Sequence, residues 1–361
     1  MSLASALKTG DVAELPSRRD EDWRWTDLRG LIRVLPPIYE HAGTGALAYV
    51  RPGSDEAFIS PVVFSASRRV SVANGYVDGL GLKAPGPLIF DAHDPVVALN
   101  VETLGDKIGV VTRLKAVVPA GLKAVLLESH AGAGGYLADF RLDITVGEGA
   151  SLERVVLVED DAEAVNVITA EVDLAPGAVF NQTVLTTGAR RQRIETRIDH
   201  PGAHADVRLD GIYVLADQRH ADQTTIVTHG GVDGITSQLT KGVVDDQARG
   251  VFQGRIVVQP GADQTDARMG HHALILSDKA EVDAKPELLI FADDVSCAHG
   301  NTIGALDDEQ VFYARQRGIP EPEAKAMLTQ AFLGEVVERI EHEGAREIAA
   351  AWVAAKLGRA E

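Results

Sequence analysis

Small-residue corners recur through the middle of this 361-residue chain, and their spacing is the feature that most limits its fold. Each corner joins glycine to proline or alanine, and the last glycines of the series are Gly121, Gly149, Gly177, Gly202 and Gly261. The intervals between successive glycines are 28, 28, 25 and 59 residues, and the last interval is close to two periods. A nearly constant period in this range is typical of stacked supersecondary units.

The segments between the corners have the period-two pattern of β-strands. Ile194, Thr196 and Ile198 alternate with charged residues, and the same alternation occurs over 168–174 and 205–210. Such alternation indicates strands with one buried face, and no helical pattern separates them as a doubly wound sheet would require. The sequence therefore predicts a mainly β fold with a parallel β-helix (solenoid) core. A sandwich or jelly roll stays the alternative, because Pro-Gly corners are common in any all-β protein.

The two ends of the chain have helical character. A helix is expected around 23–28, Asp307 can cap another one, and Pro320 opens a longer helix. A third, alanine-rich helix is predicted over 345–357, after an interruption at Gly344. Helices at the ends are one way to cap the open ends of a solenoid. We divide the chain into an N-terminal mixed or helical region, 1–90, a β-helix core, 91–304, and a C-terminal helical region, 305–361.

Apolar residues recur at helical spacing over 324–340, and this stripe has two interpretations. It is either core of the same molecule or a docking face for a partner. The residues of the second interpretation are Met327, Leu328, Phe332 and Val336.

Charge and cysteine content exclude several classes of protein. The chain has 35 Lys and Arg against 53 Asp and Glu, a net charge of −18, which argues against nucleic acid or an anionic membrane as partner. Cys297 is the only cysteine, so this chain alone can form neither an intrachain disulfide nor an all-cysteine metal site. Walker A, dinucleotide-binding and Gly-x-Ser-x-Gly motifs are absent. No export signal or membrane-spanning segment is recognised, and a cytoplasmic location is expected.

Cys297 and His299 form a candidate ligand or acid–base pair. In an extended strand, residues two apart project from the same face. Two ligands cannot complete a metal sphere, so other groups or another chain would have to contribute; the alternative is a structural role for both. His271 and His272 are adjacent, hence on opposite faces, and are interpreted as surface polar residues. His229 is interpreted as a structural residue at a strand end.

Two further functional hypotheses rest on the same part of the chain. Arg255 and Arg268 are basic, and four carboxylates flank the cysteine: Asp283, Glu287, Asp293 and Asp294. Pectate-lyase-like β-helix enzymes combine acidic and basic residues on one solenoid face, which makes a carbohydrate-active enzyme one alternative. The other is a stand-alone metal-binding protein that uses Cys297, His299 and one of His271 and His272.

An ordered series of motifs then carries a resemblance to a known family. Its members include Asp222-Gln-Thr224, Ser237-Gln238, Lys241-Gly242, Ala248-Arg249-Gly-Val-Phe252-Gln-Gly254, Lys285-Pro286-Glu287-Leu288, Cys297-Ala-His299-Gly300, Phe312-Tyr313 and Arg317-Gly318-Ile319. The series closely resembles the SufB/SufD family of iron–sulfur cluster assembly proteins over about 205–340. The N-terminal Glu21-Asp-Trp23-Arg-Trp25-Thr26-Asp27-Leu28 is similar to the SufD branch. SufB proteins carry more cysteines, so the single thiol favours SufD, and a SufB-like paralogue stays an alternative.

The resemblance implies a right-handed parallel β-helix between helical terminal regions and a non-catalytic scaffold role. It implies pairing with a SufB-like subunit through the β-helix and binding of a SufC-like ATPase by the C-terminal helices. On that basis the stripe over 324–340 becomes chiefly a SufC-docking surface. ATP would be bound only by SufC. This chain alone would hold no cofactor tightly, although an iron–sulfur cluster or iron could be held transiently at the SufB interface.

The resemblance also assigns roles to two residues. His299, the histidine of the Cys-x-His-Gly motif, is placed at or near the interface, where it would ligate metal in a site completed by the partner chain. Cys297 is the accompanying thiol. Self-association into a homodimer is left open for conditions in which SufB is absent.

Overall fold

Two facing β-sheets, parallel except for the β1–β2 pair and wound from one chain, form the centre of the protein. The computed structural model describes residues 1–39, 68–73, 76–77, 87–200 and 202–358. Within them the chain forms a parallel β-solenoid of about eight turns with helices near both termini. The strands are β1 Arg68–Ala73, β2 Tyr76–Val77, β3 Leu88–Ile89, β4 Val96–Leu104, β5 Gly109–Val118, β6 Lys123–Ala133, β7 Leu137–Val146, β8 Ser151–Glu159, β9 Val165–Leu174, β10 Val179–Thr186, β11 Arg191–His200, β12 Asp206–Leu215, β13 His220–His229, β14 Ile235–Val244, β15 Arg249–Val258, β16 Asp266–Ile275, β17 Glu281–Ile290 and β18 Ser296–Gly304.

Successive strands alternate between the two sheets. Over the described residues, one sheet has ten strands in the order β18-β16-β14-β12-β10-β8-β6-β4-β1-β2, and the other has eight in the order β17-β15-β13-β11-β9-β7-β5-β3. Ser151 pairs with Val179 and Asp206 pairs with Ile235, which are offsets of 28 and 29 residues. One turn of the solenoid therefore matches the corner spacing in the sequence. The prediction of a parallel solenoid is confirmed, and the sandwich alternative is wrong.

The glycine corners turn the chain from one sheet to the next. Gly121, Gly149 and Gly177 have φ values of +70°, +61° and +65°, in the left-handed region that glycine adopts without steric cost. Gly202 serves differently, because a Cβ at that position would lie 2.5 Å from the backbone nitrogen of Pro176 in the preceding coil. The corners thus need glycine either for backbone conformation or for close stacking of coils.

Aliphatic side chains from both sheets fill the inside of the solenoid. Leu126, Val156 and Val184 from one sheet and Leu142 and Ile168 from the other belong to the same buried cluster. Inward positions follow the period of two that the sequence shows. Phe90, Phe140 and Phe180 complete this cluster, so the core consists mainly of aliphatic residues with a few aromatic rings.

The helices are α1 Leu3–Thr9, α2 Leu28–Leu31, α3 Asp308–Gln316, α4 Glu321–Val337 and α5 Glu343–Leu357, with 3₁₀ turns at Val12–Glu14 and Glu21–Trp23. Asp307 caps α3 by accepting a hydrogen bond from the Glu309 N–H, as predicted. The helix expected over 23–28 is replaced by the second 3₁₀ turn and α2. Gly344 lies inside α5, which begins earlier than predicted because the His342 side chain caps it. No helix in the described ranges is long and apolar enough to cross a membrane.

The C-terminal helices lie on the side of the solenoid and leave its C-terminal end open. Leu333, Val337 and Trp352 of α4 and α5 share a buried cluster with Val155 and Leu157 on the outer face of the ten-stranded sheet. The expectation that these helices would cap the solenoid is therefore wrong. Their apolar stripes match the apolar outer face of the ten-stranded sheet from β4 to β14 instead.

The predicted C-terminal boundary of the β-helix core agrees with the structure, whereas the predicted N-terminal boundary does not. The last strand ends at Gly304 and α3 begins at Asp308, close to the predicted boundary at 305. At the other end, β1 pairs with β4, so the ten-stranded sheet already begins upstream of residue 91. Most of 40–86, which is part of the predicted N-terminal region, lies outside the described residues.

Candidate functional site

The outer edge of β18 is the first part of the site. Among the described strands β18 pairs only with β16, and the Ser296 N–H donates to the Thr265 carbonyl at 2.8 Å. Backbone polar groups of alternate residues in a strand point to opposite sides. The N–H and C=O groups of Cys297, His299 and Asn301 therefore face the open edge. Such an unpaired row is a template for a strand from another chain.

The neighbouring edge, β17, is interrupted. The Phe291 N–H donates to the Val258 carbonyl at 2.9 Å, so odd-numbered residues of β17 face β15 and even-numbered residues face the open side. Pro286 belongs to the open side, where its missing N–H costs no bond within the sheet. Of the two edges at this end, β18 thus presents the continuous row of donors and acceptors.

Cys297 and His299 project from the same face of β18, as their spacing predicts. Cys297 is half-buried and packs beside Ala267, its register partner on β16, whereas His299 is exposed. Burial raises the pKa of the Cys297 thiol, so the proton stays on sulfur at neutral pH unless a metal displaces it. Within the described part of the chain, no three His, Cys, Asp or Glu side chains converge to hold a metal ion.

The histidines of β13 and β16 are more deeply placed than the sequence indicates. His271 is fully buried, so its interpretation as a surface residue is wrong; it points between the sheets and stacks on the Phe252 ring with centroids 4.7 Å apart. His272 is partly exposed on the opposite face. His229 is buried at the end of β13, where its Nε2 lies 2.8 Å from the Thr236 hydroxyl, in agreement with its structural interpretation.

The predicted docking stripe is divided between core and surface. Val336 is fully buried between α4 and the sheet, so it is unavailable to a partner and its assignment as a docking residue is wrong. Phe332 and Leu328 are half-buried, and Lys241 Nζ lies 4.5 Å from the Phe332 ring centroid. Met327 is 52% exposed. Only part of the stripe can therefore contact another protein.

Two further exposed aromatic residues lie on α3, the helix that packs against α4, and were not among the predicted site residues. Phe312 is 61% exposed and Tyr313 is 59% exposed, while Val311 between them and the cap is buried. The Arg317 guanidinium lies 3.7 Å from the Tyr313 ring centroid. Two adjacent aromatic residues on a nine-residue helix cannot both be buried on a single face. The adjacency of Phe312 and Tyr313 is therefore a sequence signal from which their exposure could have been predicted.

Two of the four carboxylates of the carbohydrate-enzyme hypothesis are engaged in ion pairs, and a third, Asp294, accepts a hydrogen bond from the Gln264 side chain. Asp283 lies 2.7 Å from Arg249, and Glu287 lies 2.9 Å from Arg255. Arg268 pairs with Asp266 at 3.1 Å on the other sheet. These contacts neutralise Asp283 and Glu287, which is unlike the pair of free carboxylates that flanks a scissile glycosidic bond.

The N-terminal motif packs on the outer face of the eight-stranded sheet. The Trp23 ring covers Arg193, whose guanidinium lies 4.5 Å from the ring centroid and 2.8 Å from Asp222. The Thr26 hydroxyl donates to Asp222, and Arg193 donates to the Asp22 carbonyl. The segment that is similar to SufD therefore completes a buried charge cluster and has a structural role here.

Comparison with known proteins agrees with this architecture. Residues 101–332 match the family model described as SUF system FeS cluster assembly, SufBD core domain. This match spans well over half of the chain, and the protein belongs to the SufB/SufD family.

Its relatives narrow the assignment to one branch. The chain is 28% identical to the iron–sulfur cluster assembly protein SufD of Escherichia coli, over 98% of this chain and 91% of that protein. It is 26% identical to a SufBD family protein of Mycobacterium leprae, over 91% of this chain and 87% of the relative. A shorter match, 32% identical over 42% of this chain, is to SufD of Bacillus subtilis and covers 34% of that protein. Within the family the chain is most like SufD, and its relatives support a role in iron–sulfur cluster assembly by the SUF system.

Proposed function

We propose that this protein is a non-catalytic scaffold subunit of the SUF complex that pairs with a SufB-like subunit through the open end of its solenoid. The observation that carries the proposal is the unpaired edge of β18, which holds Cys297 and His299 at the end left uncovered by the C-terminal helices. A strand from a second subunit can extend the ten-stranded sheet there by main-chain hydrogen bonds.

The chemistry of the edge suits a shared metal site. Cys297 and His299 offer one sulfur and one nitrogen ligand, which both bind iron, and the remaining ligands would come from the partner chain. Iron or a nascent cluster is then cargo held transiently at the interface, and the chain alone keeps no cofactor. His299 is the stronger candidate because its imidazole is exposed, whereas Cys297 must lose a proton held by burial.

The exposed side of the C-terminal helices is proposed as the docking surface for a SufC-like ATPase. It consists of Met327, Phe312 and Tyr313, with the accessible parts of Leu328 and Phe332. Exposed aromatic and methionine side chains are enriched at protein interfaces. ATP is bound by that partner, because this chain carries no phosphate-binding loop.

The net charge of −18 disfavours nucleic acid and anionic membranes as partners, and we place the protein in the cytoplasm. The ion pairs of Asp283 and Glu287 give no support to polysaccharide cleavage. We therefore assign no enzymatic reaction to the isolated chain.

Co-expression tests the proposal. The chain is produced with a SufB-like and a SufC-like protein, and a tag on this chain is used for purification at high salt. We expect a stable complex with both partners, and neither ATPase nor lyase activity from the chain by itself. Failure of either partner to co-purify would refute the proposal, and the mass of the chain alone shows whether it forms a homodimer.

A further inference from the structure

The adjacent histidines His271 and His272 lie on β16, directly beside the edge strand β18. In the register of the two strands, His271 is opposite Asn301 and His272 is opposite Thr302. Neighbouring residues of a strand project to opposite faces of the sheet. One histidine therefore meets β18 from inside the solenoid and the other meets it from the outer face.

The inner contact is a fixed hydrogen-bond relay, which we call the inner relay and which consists of Tyr213, His271 and Asn301. His271 Nδ1 lies 2.6 Å from the Asn301 Oδ1, and His271 Nε2 lies 2.8 Å from the Tyr213 hydroxyl. An amide oxygen only accepts, so Nδ1 carries the proton and Nε2 accepts from tyrosine. Burial lowers the pKa of His271 to about 4, so the ring is neutral and holds this one tautomer at neutral pH.

The outer contact continues into a row of side chains, which we call the outer row and which consists of Thr302, His272, Lys241 and Glu335. His272 Nδ1 lies 2.6 Å from the Thr302 hydroxyl oxygen. Lys241 is the register partner of His272 on β14, and its Nζ lies 2.5 Å from Glu335 of α4. The hydrogen bond and charge of Lys241 lower the pKa of Glu335, which is the expected effect of a formed ion pair.

We propose that His271 and His272 are positioning residues that hold β18 from its two faces, and that the outer row links this strand to α4. The inference rests on the proposed function in one respect, because that function makes α4 and β18 parts of two different interfaces. The outer row gives α4, next to the docking surface, a physical connection to the strand that carries Cys297 and His299. A shift of α4 that breaks the Lys241–Glu335 contact would then loosen β18, and pairing at β18 would favour one position of α4. Such coupling is reciprocal, so each site reports on the other.

Hydrogen exchange of the full chain, free of partners, tests the inner relay. His271→Phe keeps an aromatic ring on Phe252 but removes both hydrogen bonds. We expect the β18 amides that donate to β16, those of the even-numbered residues, to exchange about fivefold faster, as for the loss of one ordinary hydrogen bond. Tyr213→Phe is the matched control, because it removes only the bond that does not reach β18, and exchange of β18 should stay within about twofold of wild type. Unchanged exchange in His271→Phe would overturn the positioning role.

A double-mutant cycle tests the outer row. Glu335→Gln is made in the wild-type chain and in His272→Ala, and exchange of the β18 amides is measured in all four proteins. If the outer row couples α4 to β18, Glu335→Gln speeds exchange of the β18 amides about threefold in the wild-type chain and has little effect in His272→Ala. Glu321→Gln makes the same charge change on α4 and breaks an ion pair with Lys325, so it serves as the control. Additive effects, or an equal effect of Glu321→Gln, would overturn the link.

A failure of the proposed function and a failure of this inference can be told apart. Nitrogen spectra of histidine-labelled protein should show the Nδ1–H tautomer for His271, and this readout requires no partner. In the complex with SufB-like and SufC-like proteins, His272→Ala should leave co-purification intact and lower the cluster yield. Loss of co-purification by the wild-type chain refutes the proposed function alone, whereas unchanged β18 exchange in the variants refutes this inference alone.

Discussion

Trp352 offers the sharpest test of how the C-terminal helices are held. Its side chain is 4% exposed in the cluster between α5 and the ten-stranded sheet, and its indole N–H donates to Glu159 at 2.5 Å. Trp352→Ala removes most of the aromatic packing of α5, which costs about 3–5 kcal/mol in buried sites. A whole domain is stable by about 5–15 kcal/mol, so this loss is large enough to undock α5 locally. The solenoid does not contain Trp352 and should stay folded.

Hydrogen exchange and partner binding measure the effect. In Trp352→Ala we expect amides of 343–357 to lose protection, the strands to keep theirs, and affinity for a SufC-like ATPase to fall. Trp352→Phe is the matched control, because it keeps a ring in the cluster and loses the bond to Glu159, at a cost of about 2 kcal/mol. Full protection of α5 in Trp352→Ala would refute the packing argument. Simultaneous loss of protection in all strands would show that the helices and solenoid unfold as one unit.

Three further predictions concern the solenoid and its edge. Burial lowers the pKa of His220 and His271 to about 4 and that of His229 to about 3. The unfolded chain therefore takes up protons first as the pH falls below about 6.5, and each histidine should lower the free energy of unfolding by about 2 kcal/mol between pH 7 and pH 5. In urea unfolding, His271→Phe should lose correspondingly less stability over this pH range. A pH dependence equal to that of the wild type would contradict the assignment to His271. Ile303 is 41% exposed, and its N–H faces the open edge of β18. Ile303→Pro should keep the melting temperature within a few degrees but abolish pairing with a SufB-like subunit, whereas the control Ile303→Val should pair normally. Normal pairing of Ile303→Pro would show that this edge is not the interface. His299→Ala should leave folding and co-purification unchanged and lower cluster formation in the complex, and an unchanged cluster yield would show that the imidazole is not a ligand.

The solenoid could be predicted because its corners and strands are encoded by short stretches of sequence. A repeating corner with glycine at φ values near +65° and strands of period two are both visible in the residues themselves. The same holds for the cap at Asp307, since an acidic residue before a helix accepts a backbone N–H. These features depend on neighbours in sequence, so no alignment of distant segments is required.

The placement of the helices and the burial of single residues could not be predicted in the same way. Val336 and Met327 occur in one amphipathic stripe, yet the first is buried and the second is exposed. The difference arises because α4 packs on the apolar outer face of β12 and β14, which lie about 100 residues earlier. His271 likewise has no local mark of burial, since its partners come from β12, β15 and β18. Long-range packing decides such positions.

In the function proposed here, this chain completes a partner's cluster site and does not hold a cluster alone. Anaerobic reconstitution with iron and sulfide, followed by absorption and Mössbauer spectroscopy, tests it directly on the purified chain and on its complex with SufB-like and SufC-like proteins. We expect no stoichiometric cluster or iron on the chain alone, and a cluster in the complex that depends on His299. A stoichiometric cluster on the isolated chain, retained through desalting, would contradict it.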